Sequence, residues 1–227
     1  MSIEKSWLRR RVEKSLSSAL MRAYQTVRVE PDRFLIELRA AHGLPVSSFQ
    51  GMYSLEISSL DAVAQSIIRG AMKLAAAEGA GFGIGGFLTI VPDFSILAGI
   101  TLRTIQKLSL LYGYQYNTDE EISELWIAAA SAAGVDLGRD LLEKNVVNRL
   151  IPKIIQQIAA KASAEFVEKW AGRLIPIASS LIGGVLNYYF VRGWAERAHS
   201  HFRQKHLDAR RQMQQAGLVV ARVDTHS

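Results

Sequence analysis

Apolar side chains recur at three- and four-residue spacing through nearly all of this 227-residue chain, and no apolar/polar alternation lasts beyond four or five positions. That period matches a helical turn and not the two-residue period of a half-buried strand, so the chain reads as all-α. The expected architecture is a multi-helix bundle with two glycine-rich apolar helical hairpins packed centrally. The length fits one domain or a tight pair at roughly 150 residues per domain. A chain this long buries ~70–75% of its unfolded surface, so it holds a core without disulfides or metal. It has no cysteine, which excludes a disulfide framework, thiolate zinc sites and cysteine nucleophiles together.

The first helix carries Leu8, Val12, Leu16, Leu20 and Ala23 on one stripe, with Arg9, Arg10, Lys14 and Arg22 turned away. Pro31 opens a short helix over 32–41, and His42-Gly43-Leu44-Pro45 ends it, Gly43 supplying the left-handed residue beyond the last turn. A Ser/Gly-rich loop over 44–54 precedes a helix from about Ser58 to Glu78, with Leu60, Val63, Ile67, Ala71 and Leu74 along one face. Further on, a helix passes through Ile100, Leu102, Ile105, Leu108 and Leu111. Thr118 and Glu121 then form a capping box before Ile122, Leu125, Trp126 and Ala129. After Gly134, a long helix is expected from Leu137 to about Ala171, interrupted near Pro152, and a last one running to about Gln215. The organisation expected is a basic N-terminal unit over 1–43, a helical domain over 44–215 and a frayed tail over 216–227.

Two low-charge stretches interrupt this pattern. From Gly79 to Leu102 the only charge is Asp93, and five glycines fall within residues 79–86; Leu174 to Val191 has no charge and contains Pro176, Gly183, Gly184 and Asn187. A membrane span needs ~20 predominantly apolar residues. The first stretch is cut by Pro92-Asp93, and a mid-span carboxylate costs ~2.5–3.5 kcal/mol on insertion scales. The second is diluted by Ser179, Ser180, Asn187 and two glycines. Both read as buried hairpins, with a re-entrant membrane-dipping pair as the alternative.

Charge is uneven. Residues 1–54 hold nine Lys/Arg against five Asp/Glu, residues 192–227 seven against three, and the middle eleven against thirteen. Basic ends around an apolar middle suit an anionic partner, or a set of solvated helix faces that keep the protein dissolved. The N-terminus lacks the ~7–15-residue apolar core of a secretory signal, so a cytoplasmic location is expected.

Catalytic motifs are scarce. Gly81-Phe-Gly-Ile-Gly-Gly86 fits G-x-G-x-x-G, but no strand precedes it and no acid follows in place for a ribose, so no nucleotide or other cofactor is assigned. His199, His201 and His206 lie close in sequence, yet His201 sits about 200° around a helix from His199, which argues against a metal site. Asp93, after Pro92, can cap the helix that follows or pair with Arg103 or Arg173. Asn187 is expected to hydrogen-bond across to the other hairpin.

Gly85-Gly86, Val91-Pro92-Asp93, Thr101-Leu-Arg103-Thr-Ile105-Gln-Lys107 and Leu111-Tyr112-Gly113-Tyr114 together resemble the EcsC family of bacterial proteins. So do Ile175-Pro176, Gly183-Gly184, Asn187-Tyr188, Arg192, Ala198 and Phe202-Arg203. The likeness covers roughly residues 44–207. The family is named after a protein encoded beside an ABC transporter, and its biochemical role is not established. The resemblance implies a helical bacterial protein with membrane association and transfers no catalytic residue.

The function expected is therefore non-enzymatic: a protein peripheral to the inner face of the cell membrane, or accessory to a membrane complex such as an ABC transporter. Pro92, Asp93, Arg103, Pro176, Asn187 and Arg192 are the structural or lipid-facing candidates. Arg9, Arg10, Arg11, Lys14, Arg203, Arg210 and Arg211 are the basic surface candidates. The alternative is a soluble cytoplasmic protein-interaction module without lipid contact. No groove-reading motif points to nucleic acid. A small-molecule ligand and a homo-oligomer are left open.

Overall fold

The structure, a computed structural model, describes residues 3–80, 94–135, 147–170 and 181–217. Among these residues it is all-α, with seven α-helices and no strand: α1 (Ile3–Thr26), α2 (Pro31–His42), α3 (Ile57–Ala80), α4 (Phe94–Leu111), α5 (Asp119–Ala132), α6 (Val147–Trp170) and α7 (Leu181–Gln215). The linker before α3 is not wholly irregular, because Gln50–Ser54 winds into a 3-10 turn. Most of the expected boundaries fall within a few residues of these. Pro31 occupies the first turn of α2, Gly43 ends that helix at φ 65°, and Thr118 and Glu121 complete both halves of the capping box on α5. Pro152 lies inside α6, in its second turn.

Helix α4 organises the bundle. It packs against α1, α3, α5 and α7, while α3–α7, α7–α5, α5–α6 and α6–α1 form successive neighbours around it. Among the described residues α1 and α3 share no comparable interface, so this ring is open between them. Central placement explains why α4 tolerates so little exposure: Leu97, Leu102, Ile105, Leu108, Leu110 and Leu111 are all buried. The helix also buries polar groups: Thr104 and Ser109 donate to the Ile100 and Tyr114 carbonyls, whereas Thr101 Oγ1 has no partner among the described residues. Gln106 accepts from the Val29 amide (2.9 Å) and donates to the Val27 carbonyl (3.0 Å), while Tyr116 donates to the Val29 carbonyl (2.7 Å). These bonds satisfy the non-helical backbone between α1 and α2, which would otherwise be buried without partners.

Val12, Leu16, Leu20 and Ala23 of α1 belong to the same apolar cluster as α4 and α6. On α3 the burial face differs from the expected stripe. Leu60, Ala64, Ile68, Met72 and Ala75 form the core face, whereas Ile67 and Ala71 are half-buried and Leu74 is 51% exposed. A stripe read at mixed three- and four-residue steps drifts around the helix. The four-residue rows point to α4 and α7, and the remainder of the stripe becomes a second apolar face.

About half of the two low-charge stretches, residues 81–93 with the G-x-G-x-x-G match and residues 174–180, lies outside the described residues. Their described portions begin α4 and α7, which pack against each other.

Candidate functional site

Among the described residues, a dense polar cluster joins α3, the end of α4 and α7. Asp61 follows the buried Leu60 on α3. Its Oδ1 accepts from the Tyr112 hydroxyl at 2.7 Å, and Arg203 Nε reaches Oδ1 and Oδ2 at 3.0 and 2.9 Å. His199 Nε2 lies 2.8 Å from the Tyr112 oxygen and 3.4 Å from Asp61 Oδ1. Tyr112 donates its proton to Asp61, so its oxygen is left to accept from His199 Nε2–H. Burial alone would raise the Asp61 pKa, but the bonds from Tyr112 and Arg203 outweigh it and hold the carboxyl below its ordinary value. Tyr112, fully buried beside that carboxylate, has its pKa pushed well up, first by burial and then by Asp61.

One turn further along α7, His206 is wholly buried, stacked on Tyr53 with ring centroids 4.7 Å apart. Its Nδ1 lies 3.0 Å from the Tyr112 carbonyl, which can only accept, so Nδ1 carries the proton. Nε2 is buried and has no hydrogen-bond partner among the described residues. Arg210 extends the seam by donating to the Leu55 carbonyl at 3.0 Å.

Chemically this cluster is a tie. A carboxylate held by the Tyr112 hydroxyl and the Arg203 guanidinium is a poor base, and His199 is committed to the Tyr112 oxygen. Among the described residues no group of His, Asp and Glu is arranged to hold a metal.

Burial pushes the His206 pKa down, more than its bond to the Tyr112 carbonyl raises it. The unfolded chain therefore takes up this proton at a higher pH than the folded protein. Stability is full above about pH 6.5 and falls as acid approaches the lower folded value, by at most about 1.4 kcal/mol per pH unit. Urea unfolding of wild type and His206→Gln between pH 7.5 and 5 should show a smaller acid loss in the variant; parallel curves would contradict this assignment.

The basic candidates separate into two groups. Arg203 and Arg210 are bound within the fold, and Arg211 pairs with Asp208 at 3.3 Å. On α1, by contrast, Arg9, Arg10, Arg11 and Lys14 make no ion pair among the described residues. Trp7 there is 50% exposed, and the Arg11 guanidinium lies 5.4 Å from its ring centre. Trp7, Arg10, Arg11 and Lys14 fall within an arc of about 100° opposite Val12 and Leu16. Arg9 lies outside that arc and is half-buried.

Among the remaining candidates, Asn187 is buried on α7 and Arg192 is exposed, bonded to Glu196 at 2.8 Å. Arg103 is exposed on an otherwise buried helix. Pro92, Asp93, Arg173 and Pro176 lie outside the described residues, so the expected Asp93 pairing does too.

Asp61 was not anticipated from the sequence. It is the one acid between Glu56 and Glu78, next to a core leucine, and His199 and His206 share the α7 face that meets it. A lone acid at the edge of an apolar stripe was the available signal.

A second feature occupies the opening of the ring. Between α2, α3 and α4 runs a groove of about 570 Å³, with Ile67, Ala71, Leu74, Ile96 and Ile100 along it and Glu37, His42, Arg103 and Lys107 among its polar lining.

Fold and site define an all-α bundle built around one apolar helix, its long C-terminal helix fastened by a carboxylate-centred tie. The chain belongs to the EcsC protein family, whose profile matches residues 5–207. The match thus takes in α1 and α2, which the resemblance by motif left aside. Two relatives come from Bacillus subtilis (strain 168). Protein EcsC is 24% identical over 196 residues, covering 85% of this chain and 83% of that protein. Uncharacterized protein YdbA is 22% identical over 159 residues, covering 63% and 58%. No solved structure matches.

Proposed function

We propose that this protein is a non-enzymatic helical accessory protein that binds the anionic inner face of the cell membrane through the outward face of α1, alone or beside a membrane complex. The observation that carries this reading is the segregation of Trp7, Arg10, Arg11 and Lys14 from the core face of α1, with none of the three cations in an ion pair among the described residues. A basic helix with an aromatic residue at its edge suits the interface plane of a bilayer.

The reading is peripheral. The one described helix long and apolar enough to span a membrane is α4, and 72% of it is buried against the rest of the protein. The tie at Asp61 supports a structural use of the polar cluster.

Each basic side chain near an anionic surface contributes ~1 kcal/mol. Full-length protein should float with phosphatidylglycerol vesicles at low salt and not with neutral phosphatidylcholine ones. The triple variant Arg10→Glu, Arg11→Glu, Lys14→Glu should lose about a hundredfold or more in partitioning. Equal flotation on both vesicle types, or no effect of the triple variant, would remove the proposal.

The burial of α4 also favours a second reading, a protein-interaction module without lipid contact. That reading expects a monodisperse particle without detergent and no flotation on either vesicle type.

A further inference from the structure

The groove between α2, α3 and α4 is a second binding feature, and it does not involve the outward face of α1. It lies where the ring around α4 is open between α1 and α3, so the face of α4 not covered by those neighbours forms its floor. Its walls come from the part of the α3 stripe that turns away from the core. Ile67, Ala71 and Leu74 stand on one side, with Ile96 and Ile100 of α4 on the other.

Two glycines deepen it. A side chain added at Gly70 would meet nothing within 4 Å, and one at Gly99 would meet only Val27, at 3.8 Å. A volume of about 570 Å³ falls within the ~300–1,000 Å³ of small-molecule sites, which are mostly apolar with a few placed polar groups.

The charge at the rim selects the occupant. Lys107 is neutralised by Glu37, with Nζ 2.7 and 2.9 Å from its two carboxylate oxygens. Arg103 is exposed at the same rim and makes no ion pair among the described residues. The lining therefore carries one uncompensated positive charge, on a guanidinium fork that fits a carboxylate with two parallel bonds.

We infer that the groove binds a single-chain anionic amphiphile, a long-chain carboxylate whose tail lies along Ile67, Ala71 and Leu74 and whose head meets Arg103. Gly70 leaves room for the tail, and Arg103 distinguishes the acid from an uncharged chain of the same length.

The test is calorimetric titration of the full chain with dodecanoate below its micelle concentration, and with dodecanol. Dodecanoate should bind one per chain, and dodecanol at least tenfold more weakly. Arg103→Gln should weaken dodecanoate about tenfold and leave dodecanol unchanged. Gly70→Leu should remove both while unfolding at no lower temperature than wild type, since it fills open space and replaces a helical glycine. The Arg10/Arg11/Lys14 triple variant should keep its affinity, which separates this inference from the membrane reading. Three results would each overturn it: no dodecanoate binding by wild type, undiminished binding by Gly70→Leu, or indifference to Arg103→Gln. So would a wild-type dimer that Gly70→Leu dissociates, because the groove would then belong to a second copy.

Discussion

Asp61→Ala should destabilise the protein by about 2–4 kcal/mol, read as a lower urea midpoint with an unchanged slope. The substitution removes the one acceptor shared by Tyr112 and Arg203, and Tyr112 in turn accepts from His199. The Tyr112 hydroxyl is buried and loses its acceptor, and the Arg203 guanidinium, which is only partly exposed, loses its counter-charge. Breaking a fully buried pair costs ~3–5 kcal/mol, and the expected value is lower because 28% of the Asp61 side chain meets solvent. Asp61→Asn should recover part of the loss, since its amide oxygen can still accept from Tyr112. If Asp61→Ala unfolds within about 0.5 kcal/mol of wild type, the cluster is not what fastens α7, because changes of that size are ordinary for surface positions.

Gly113→Ala should cost a comparable amount for a different reason. Gly113 has φ 88°, a region where a side chain costs roughly 1–2 kcal/mol, and an added Cβ would sit 2.8 Å from the Tyr53 ring. That ring cannot retreat freely, because it is stacked on the buried His206. The expected loss is about 2–4 kcal/mol in urea unfolding, beyond the φ penalty alone. Combining Gly113→Ala with Tyr53→Leu, which clears the clashing ring atoms, should give less than the sum of the two single losses. Strict additivity would show that the ring contact is not the cause.

These two predictions concern the same few residues that the sequence presents as Leu111-Tyr112-Gly113-Tyr114. As a motif they carry a family resemblance and no physical role. The structure supplies the role: the turn at Gly113 closes α4, points the Tyr112 side chain at Asp61 and offers its carbonyl to His206. Much of the helical framework needed no tertiary information. Pro31 and Gly43 delimit α2, and Thr118 with Glu121 starts α5, because each signal acts through bonds or dihedrals within a few residues of itself.

The basic ends were legible only as composition. Seven arginines and lysines had equal standing on paper. Arg203 and Arg210 are turned inward by Asp61 and the Leu55 carbonyl, each more than 140 residues away in the chain, while Arg10, Arg11 and Lys14 keep their charge facing out. Likewise the apolar stripe of α3 was visible, but not that Leu60 faces the core while Leu74 faces the groove.

The sequence by itself determined an all-helical chain, the caps at Gly43 and Thr118 and most of the buried stripes of α1, α4 and α5, because helical period and capping are set by neighbours within about one turn. Tertiary structure alone decided which cations are spent, which acid fastens α7, and where α4 is left uncovered. Those outcomes depend on how helices pack around one another, and packing brings together residues whose separation along the chain carries no record of it.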